Sequence, residues 1–131
     1  MLGFPGNLAS MSTRSHLKIL NSDGLELDAI LVAPDSQPHA YALYAHCFTC
    51  TKEIGAAVRI ATELVGHGVA VLRFDFAGLG ASQGDFSRQT FSKNVSDVVH
   101  AARWMQEKNR PPHLLIGHSL GGAAVLAAAG A

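Results

Sequence analysis

The chain has 131 residues, 48% of them apolar and 15% charged, which suits one globular domain at most. Ten basic residues balance ten acidic ones, so nothing in the charge argues for nucleic acid or an anionic membrane surface as a partner. No apolar run approaches the roughly 18 residues that cross a bilayer. The opening residues, Met1 to Gly6, lack the basic region and long apolar core of a secretory signal, so the cytoplasm is the expected setting.

Residues 1–15 carry Gly, Pro, Asn and Ser without periodicity and read as a loose lead-in, with Met11 an alternative start. Residues 16–131 read as one unit. A short strand over Leu17–Ile19 is followed by Asn21-Ser22-Asp23-Gly24, whose Asp-Gly pair predicts a hairpin turn. The return, Leu25 to Val32, opens with the polar–apolar alternation of a half-solvated edge, and Pro34 ends it.

Tyr41 to Ala45 is apolar on both faces, as a strand covered by helices on two sides should be. Ile54, Ala57, Val58, Ala61, Leu64 and Val65 then mark one helical stripe, with Gly66 and Gly68 suited to its end. Val69 to Phe76 reads as the next buried strand, and the glycine-rich loop Ala77 to Gly84 follows it. Val95, Val98, Val99, Ala102 and Met105 make a second helical stripe, and Pro111-Pro112 separates it from the strand Leu114–Ile116.

The order is a β-hairpin, then β-α-β-α-β and the start of a further helix. That predicts an α/β fold: a mostly parallel sheet, helices on both faces and right-handed crossovers. Ligands gather at the carboxyl ends of such strands, where three loops should meet: His46 to Thr51, Ala77 to Gly84, and the turn at Ser119.

That last turn is Ile116-Gly117-His118-Ser119-Leu120-Gly121-Gly122, a G-x-S-x-G pattern between an apolar strand and an apolar helix. It predicts a nucleophile elbow, a strained turn that lifts a serine hydroxyl above the sheet, with Gly117 and Gly121 where the helix passes too close for a Cβ. A serine needs a base to take its proton and a third group to orient that base. It also needs two N–H donors for the developing oxyanion. The amide of Leu120 is one expected donor, and Cys47 or Phe48, in the loop after the third strand, the other.

The base and the acid are not evident. His118 adjoins the serine but should point away from it, as a packing residue. His46 is expected to shape the loop beside the oxyanion donors, and Asp75 to hold the Gly78–Gly80 loop by hydrogen bonds. His16, His39, His67, His100 and His113 carry no mark of function. Cys47-Phe48-Thr49-Cys50 is the competing motif, since C-x-x-C between strand and helix can present a reactive thiolate. The elements after it do not follow a thioredoxin order, and a single pair makes a weak zinc site. Two structural or incidental thiols are the expectation, with no metal and no cofactor.

Two stretches, Gly117-His118-Ser119-Leu120-Gly121-Gly122 and Arg73 to Gly84, resemble the elbow and the D-x-x-G-x-G-x-S loop of the α/β-hydrolases. More narrowly, Ala45-His46-Cys47-Phe48-Thr49-Cys50-Thr51-Lys52, Leu72 to Phe76 and Gly84-Asp85-Phe86 resemble bacterial hydrolases fused to a C-terminal domain of the osmotically induced protein C type. The resemblance implies Ser119 as nucleophile and Phe48 with Leu120 as amide donors. Cys47 stands where most of the wider family has glycine, which leaves Cys47 and Phe48 as alternatives. The family's acid and histidine follow later strands, so the chain reads as the N-terminal part of a larger domain, truncated after the elbow, with little turnover by itself. A serine hydrolase acting on a small-molecule acyl substrate is the expected function. The rivals are a non-catalytic scaffold of the same fold and a thiol-redox module using Cys47 and Cys50.

Overall fold

A computed structural model describes residues 12–47 and 50–130, and five strands form one sheet among them. β1 (Ser12–Leu20) and β2 (Glu26–Pro34) make an antiparallel hairpin, paired from Ser12↔Pro34 to Leu20↔Glu26. Asn21 closes the turn: its side-chain oxygen accepts the N–H groups of Asp23 and Leu25. β1 is longer than the Leu17–Ile19 strand read from pattern. Residues 12–15, assigned above to the lead-in, are extended because they pair with the far half of β2, without apolar alternation of their own. Residues 1–11 lie outside the described part.

β3 (Ala40–Ala45), α1 (Gly55–Gly66), β4 (Val69–Phe74), α2 (Phe91–Glu107), β5 (Leu114–Gly117) and α3 (Leu120–Ala129) follow, with one 3-10 turn, Phe86–Arg88, before α2. The sheet order is β1-β2-β4-β3-β5. β4, β3 and β5 run parallel, whereas β2 lies antiparallel to β4 through Ala29↔Phe74 to Val32↔Val71. The sheet is therefore mixed, its parallel half carrying the crossover helices.

Alternation along β3 sorts the core onto two faces. Ala42 and Tyr44 pack with Val71 against Ala57 and Ala61 of α1. Leu43 and Ala45 face the other way, into a larger cluster with Val98, Ala101 and Met105 of α2 and Ala124 and Val125 of α3. α1 thus covers one face of the parallel strands, and α2 with α3 the other. β5 is an edge of the described sheet, and on its side Leu114 and Leu126 are exposed.

The buried face of α2 is not purely the predicted valine stripe. It also contains Asn94 and Asp97, 4% and 1% exposed. Both of Asp97's oxygens are engaged, one by the Ala77 N–H at 3.0 Å and the other by Asn21 Nδ2 at 3.0 Å. A helix-borne carboxylate therefore joins the hairpin turn to the loop after β4.

Candidate active site

Ser119 sits between β5 and α3 at φ 58°, ψ −114°, a conformation a non-glycine residue adopts at a cost of about 1–3 kcal/mol. The surrounding contacts hold it there. A Cβ on Gly117 would strike the backbone of Gly121 and Gly122, and one on Gly121 would strike the carbonyls of Ala45 and His46. α3 can start this close to β3 and β5 only because both positions lack a side chain. The His118 N–H donates to the Ala45 carbonyl at 3.1 Å, which fixes the turn to the end of β3. The serine side chain is exposed and caps no helix amide. Leu120 opens α3, so its N–H belongs to the first turn, which has no intrahelical acceptor.

His118 departs from its expected packing role, because its side chain is exposed. It sits at the end of the edge strand β5, where no described element lies over it. Phe48, one alternative for the second amide donor, lies outside the described residues. Cys47 is described: it is buried, and it is bonded to Cys50 with the two Cα atoms 5.1 Å apart. The pair was expected as thiols. The Cys50 N–H donates to the Cys47 carbonyl at 3.1 Å, which keeps the two within reach of a bridge.

His46 is fully buried, and both ring nitrogens are engaged. Nε2 accepts the Phe76 N–H at 3.2 Å, so Nδ1 carries the hydrogen and donates to the Cys47 carbonyl at 2.8 Å. Burial holds its pKa below the ordinary histidine range, against the opposing pull of the Cys47 carbonyl and Asp75. A neutral ring committed at both ends cannot also serve as a base. Its role is to join the start of the loop after β3 to the start of the loop after β4.

Asp75 is buried at the head of that second loop. One oxygen accepts the Lys52 N–H at 2.7 Å; the other takes Lys52 Nζ at 2.7 Å and the Ala81 N–H at 3.0 Å. A Cβ on Gly80 would land on this carboxyl, so glycine is what lets the loop close over it. Ser82 completes the link, donating to the Asp75 carbonyl at 2.6 Å and accepting from the Asp28 N–H at 2.8 Å.

Pattern reasoning missed Lys52, Asp28, Arg73 and Asp97. Lys52, 4% exposed, also reaches Asp28 Oδ2 at 2.7 Å, and Lys18 meets the other Asp28 oxygen at 2.6 Å. Burial alone would lower the Lys52 pKa, but the two carboxylates outweigh it and the net shift is upward. Asp28 shows the mirror image: burial raises its pKa, the two lysines lower it further, and the net is downward. Arg73, 1% exposed, donates to the Lys52 carbonyl and meets Glu53 Oε1 at 3.2 Å. Burial holds the Asp97 carboxyl above the usual range against the bonds from Ala77 and Asn21.

The remaining histidines lie elsewhere. His113 accepts the Tyr41 N–H and His39 donates its own to Gly68, both at the end of the parallel strands opposite Ser119. His67 caps the end of α1, His100 bonds its own helix at Ser96, and His16 lies on β1. The described residues therefore bring together an exposed serine in a strained turn, a first-turn amide and a braced neighbouring loop. No group of three or more His, Cys, Asp or Glu among them could hold a metal ion. No helix of the described residues is long and apolar enough to cross a membrane.

Solved structures share this fold. The esterase domain of a Rhodothermus marinus protein is 47% identical, with a TM-score of 0.71 over 90% of this chain and 45% of its own. Est1E from Butyrivibrio proteoclasticus, solved with ferulic acid bound, is 29% identical, with a TM-score of 0.78 over 85% of this chain and 46% of its own. The Pyrococcus furiosus esterase Pf2001, at 20% identity and a TM-score of 0.79, shares the fold over 97% of this chain and 50% of its own. The chain thus spans about half the length of the structures it matches. No curated protein matches it. With the α/β-hydrolase architecture in place and residues 29–131 matching the family model described as serine aminopeptidase, S33 (Hydrolase_4), the chain belongs to that hydrolase family.

Proposed function

We propose that the chain carries the nucleophile of a serine hydrolase acting on a small-molecule ester, thioester or amide through an acyl-enzyme at Ser119. The observation that carries this reading is the left-handed Ser119, exposed between β5 and the first amide of α3. Ser119 Oγ bonds to the acyl carbon while the carbonyl π pair moves onto oxygen. The Leu120 N–H and an N–H from Cys47 or Phe48 receive that oxyanion. The hydroxyl proton passes to a general base, which the family likeness places after later strands: His46 is committed at both ring nitrogens, and His118 is expected to point away from the serine it adjoins. Collapse of the adduct expels the leaving group, and water then releases the acid. A cytoplasmic setting belongs to the same reading. So does the narrower likeness to hydrolases with an osmotically induced protein C-type domain, which stands on the Ala45–Lys52, Leu72–Phe76 and Gly84–Phe86 stretches and the elbow alone.

A fluorophosphonate probe tests the reading in the full-length protein. One adduct at Ser119 is expected. Ser119→Ala should abolish it and lower turnover of an activated acyl ester at least about 10³-fold. A folded protein that takes up no probe at Ser119 leaves the scaffold and thiol readings. The bond between Cys47 and Cys50 favours the thiol reading over the scaffold, and mild reduction followed by alkylation tells them apart.

A further inference from the structure

Lys52 is where the two loops beside Ser119 are joined. Its ammonium is shared between Asp28 and Asp75, its N–H goes to Asp75, and its carbonyl is taken by Arg73. Every polar group of one buried residue is thereby assigned to β2, to β4 or to the residue after β4. Asp75 passes the constraint to the glycine loop through the Ala81 N–H. Along the chain, Lys52 lies two residues beyond the Cys47–Cys50 bridge, and His46, the residue before the bridge, ties the Cys47 carbonyl to the Phe76 N–H. The Cys47–Cys50 bridge is therefore held on both sides.

Stability alone is a poor reason for such a cluster. A buried ion pair recovers little beyond its own desolvation, and well-packed apolar residues of similar volume often serve as well. What apolar packing cannot supply is direction: a carboxylate held by two amides and an ammonium fixes positions to a few tenths of an ångström.

We propose that Lys52 is a positioning residue for the reaction at Ser119. Anchored on Asp28 and Asp75, it holds the Cys47–Cys50 bridge in place and with it the Cys47 N–H that receives the oxyanion. This rests on the serine-hydrolase reading above. Lys52 touches no reacting atom and keeps its proton throughout. It acts through the loop it ends.

The test uses the full-length protein and the Lys52→Met/Asp28→Asn double variant, which removes the ammonium together with one carboxylate. Asp75 keeps its amide donors from residue 52 and Ala81, and no two carboxylates are left facing each other. With the fold intact by circular dichroism, kcat on an activated acyl ester and the rate of fluorophosphonate labelling should both fall about 100-fold, the scale of a lost oxyanion donor. KM should stay within about threefold, because ground-state binding does not use the oxyanion contact. Asp28→Asn alone, which removes one of the two anchors, should lower kcat about tenfold at unchanged KM. Should the double variant fail to fold, this single variant decides. Wild-type kcat in either folded variant, or a loss confined to KM, overturns the proposal and leaves the hydrolase reading intact. Wild-type protein that is folded and yet unlabelled at Ser119 overturns both.

Discussion

The elbow and the pair of loops beside it solve one problem, holding irregular backbone in place, by opposite means. At Ser119 the means is steric: two absent side chains let α3 lie on the ends of β3 and β5, and a strained residue is trapped between them. After β3 and β4 the means is polar: His46, Lys52, Asp75, Asp28, Arg73 and Asp97, all nearly buried, bind one loop to the next by hydrogen bonds and charge. The steric device tolerates no added atom but is indifferent to pH. The polar device admits changes of shape but depends on protonation states.

The largest break in this comparison should come from Gly121→Ala. Its Cβ would meet two carbonyl oxygens that cannot move without shifting β3, so a loss of about 3 kcal/mol or more is expected in urea denaturation. Gly122→Ala, one residue on, meets nothing nearer than the Gly117 carbonyl at 3.5 Å. It should be neutral, or stabilising by up to about 1 kcal/mol through helix propensity. Equal effects of the two would refute the steric account.

A smaller change of opposite sign is expected at Ser119. Ser119→Gly relieves the positive φ and should raise stability by about 1 kcal/mol while abolishing labelling; Ser119→Ala should abolish labelling without that gain. A destabilised glycine variant would mean that the turn stores no strain.

Acid should weaken only the polar device, and by the least. Because His46 is held below its ordinary value of about 6.5, the unfolded chain takes up a proton that the folded one refuses. The stability this contributes is complete above about pH 6.5 and declines as pH falls toward the folded-state value. Asp28, also lowered, adds a second decline only below about pH 4. Asp97, held above the usual carboxylate range, works the other way as pH falls, so the test is made in Asp97→Asn; urea midpoints of that variant that stay constant from about pH 7.5 to pH 5 would contradict the neutral, doubly bonded ring.

The steric device was legible from sequence because its signals are local. Gly117, Ser119 and Gly121 lie within five residues, and the strand before and helix after them announce themselves by composition. Alternation of strand and helix likewise located the three loops at one end of the sheet. Of the polar device only Asp75 and His46 were expected to brace loops; its other members are far apart and each has a duller local reading. Asp28 reads as the solvated side of an edge strand, yet it is buried against Lys52, 24 positions later in a loop. Asn21 and Asp97 are separated by 76 positions. Arg73 interrupts an apolar strand, the one local hint that a charge is wanted inside. His118 differs in the reverse direction: pointing away from the serine suggested packing, but β5 is an edge among the described residues and the side chain is exposed.

The reversal of β2 relative to β4 has a consequence for how the hairpin takes part in the site. Ala29 pairs with Phe74, so the beginning of β2 lies beside the end of β4. Asp28 and the Asn21 turn are thereby delivered to the carboxyl-terminal rim of the parallel strands. A strand running with its neighbours would have carried them to the other rim. Strand polarity thus brings the turn of the Ser12–Pro34 hairpin to the rim that also holds Ser119, about ninety positions further along the chain. Grafting a different hairpin onto this edge would have to preserve its direction before any of its side chains.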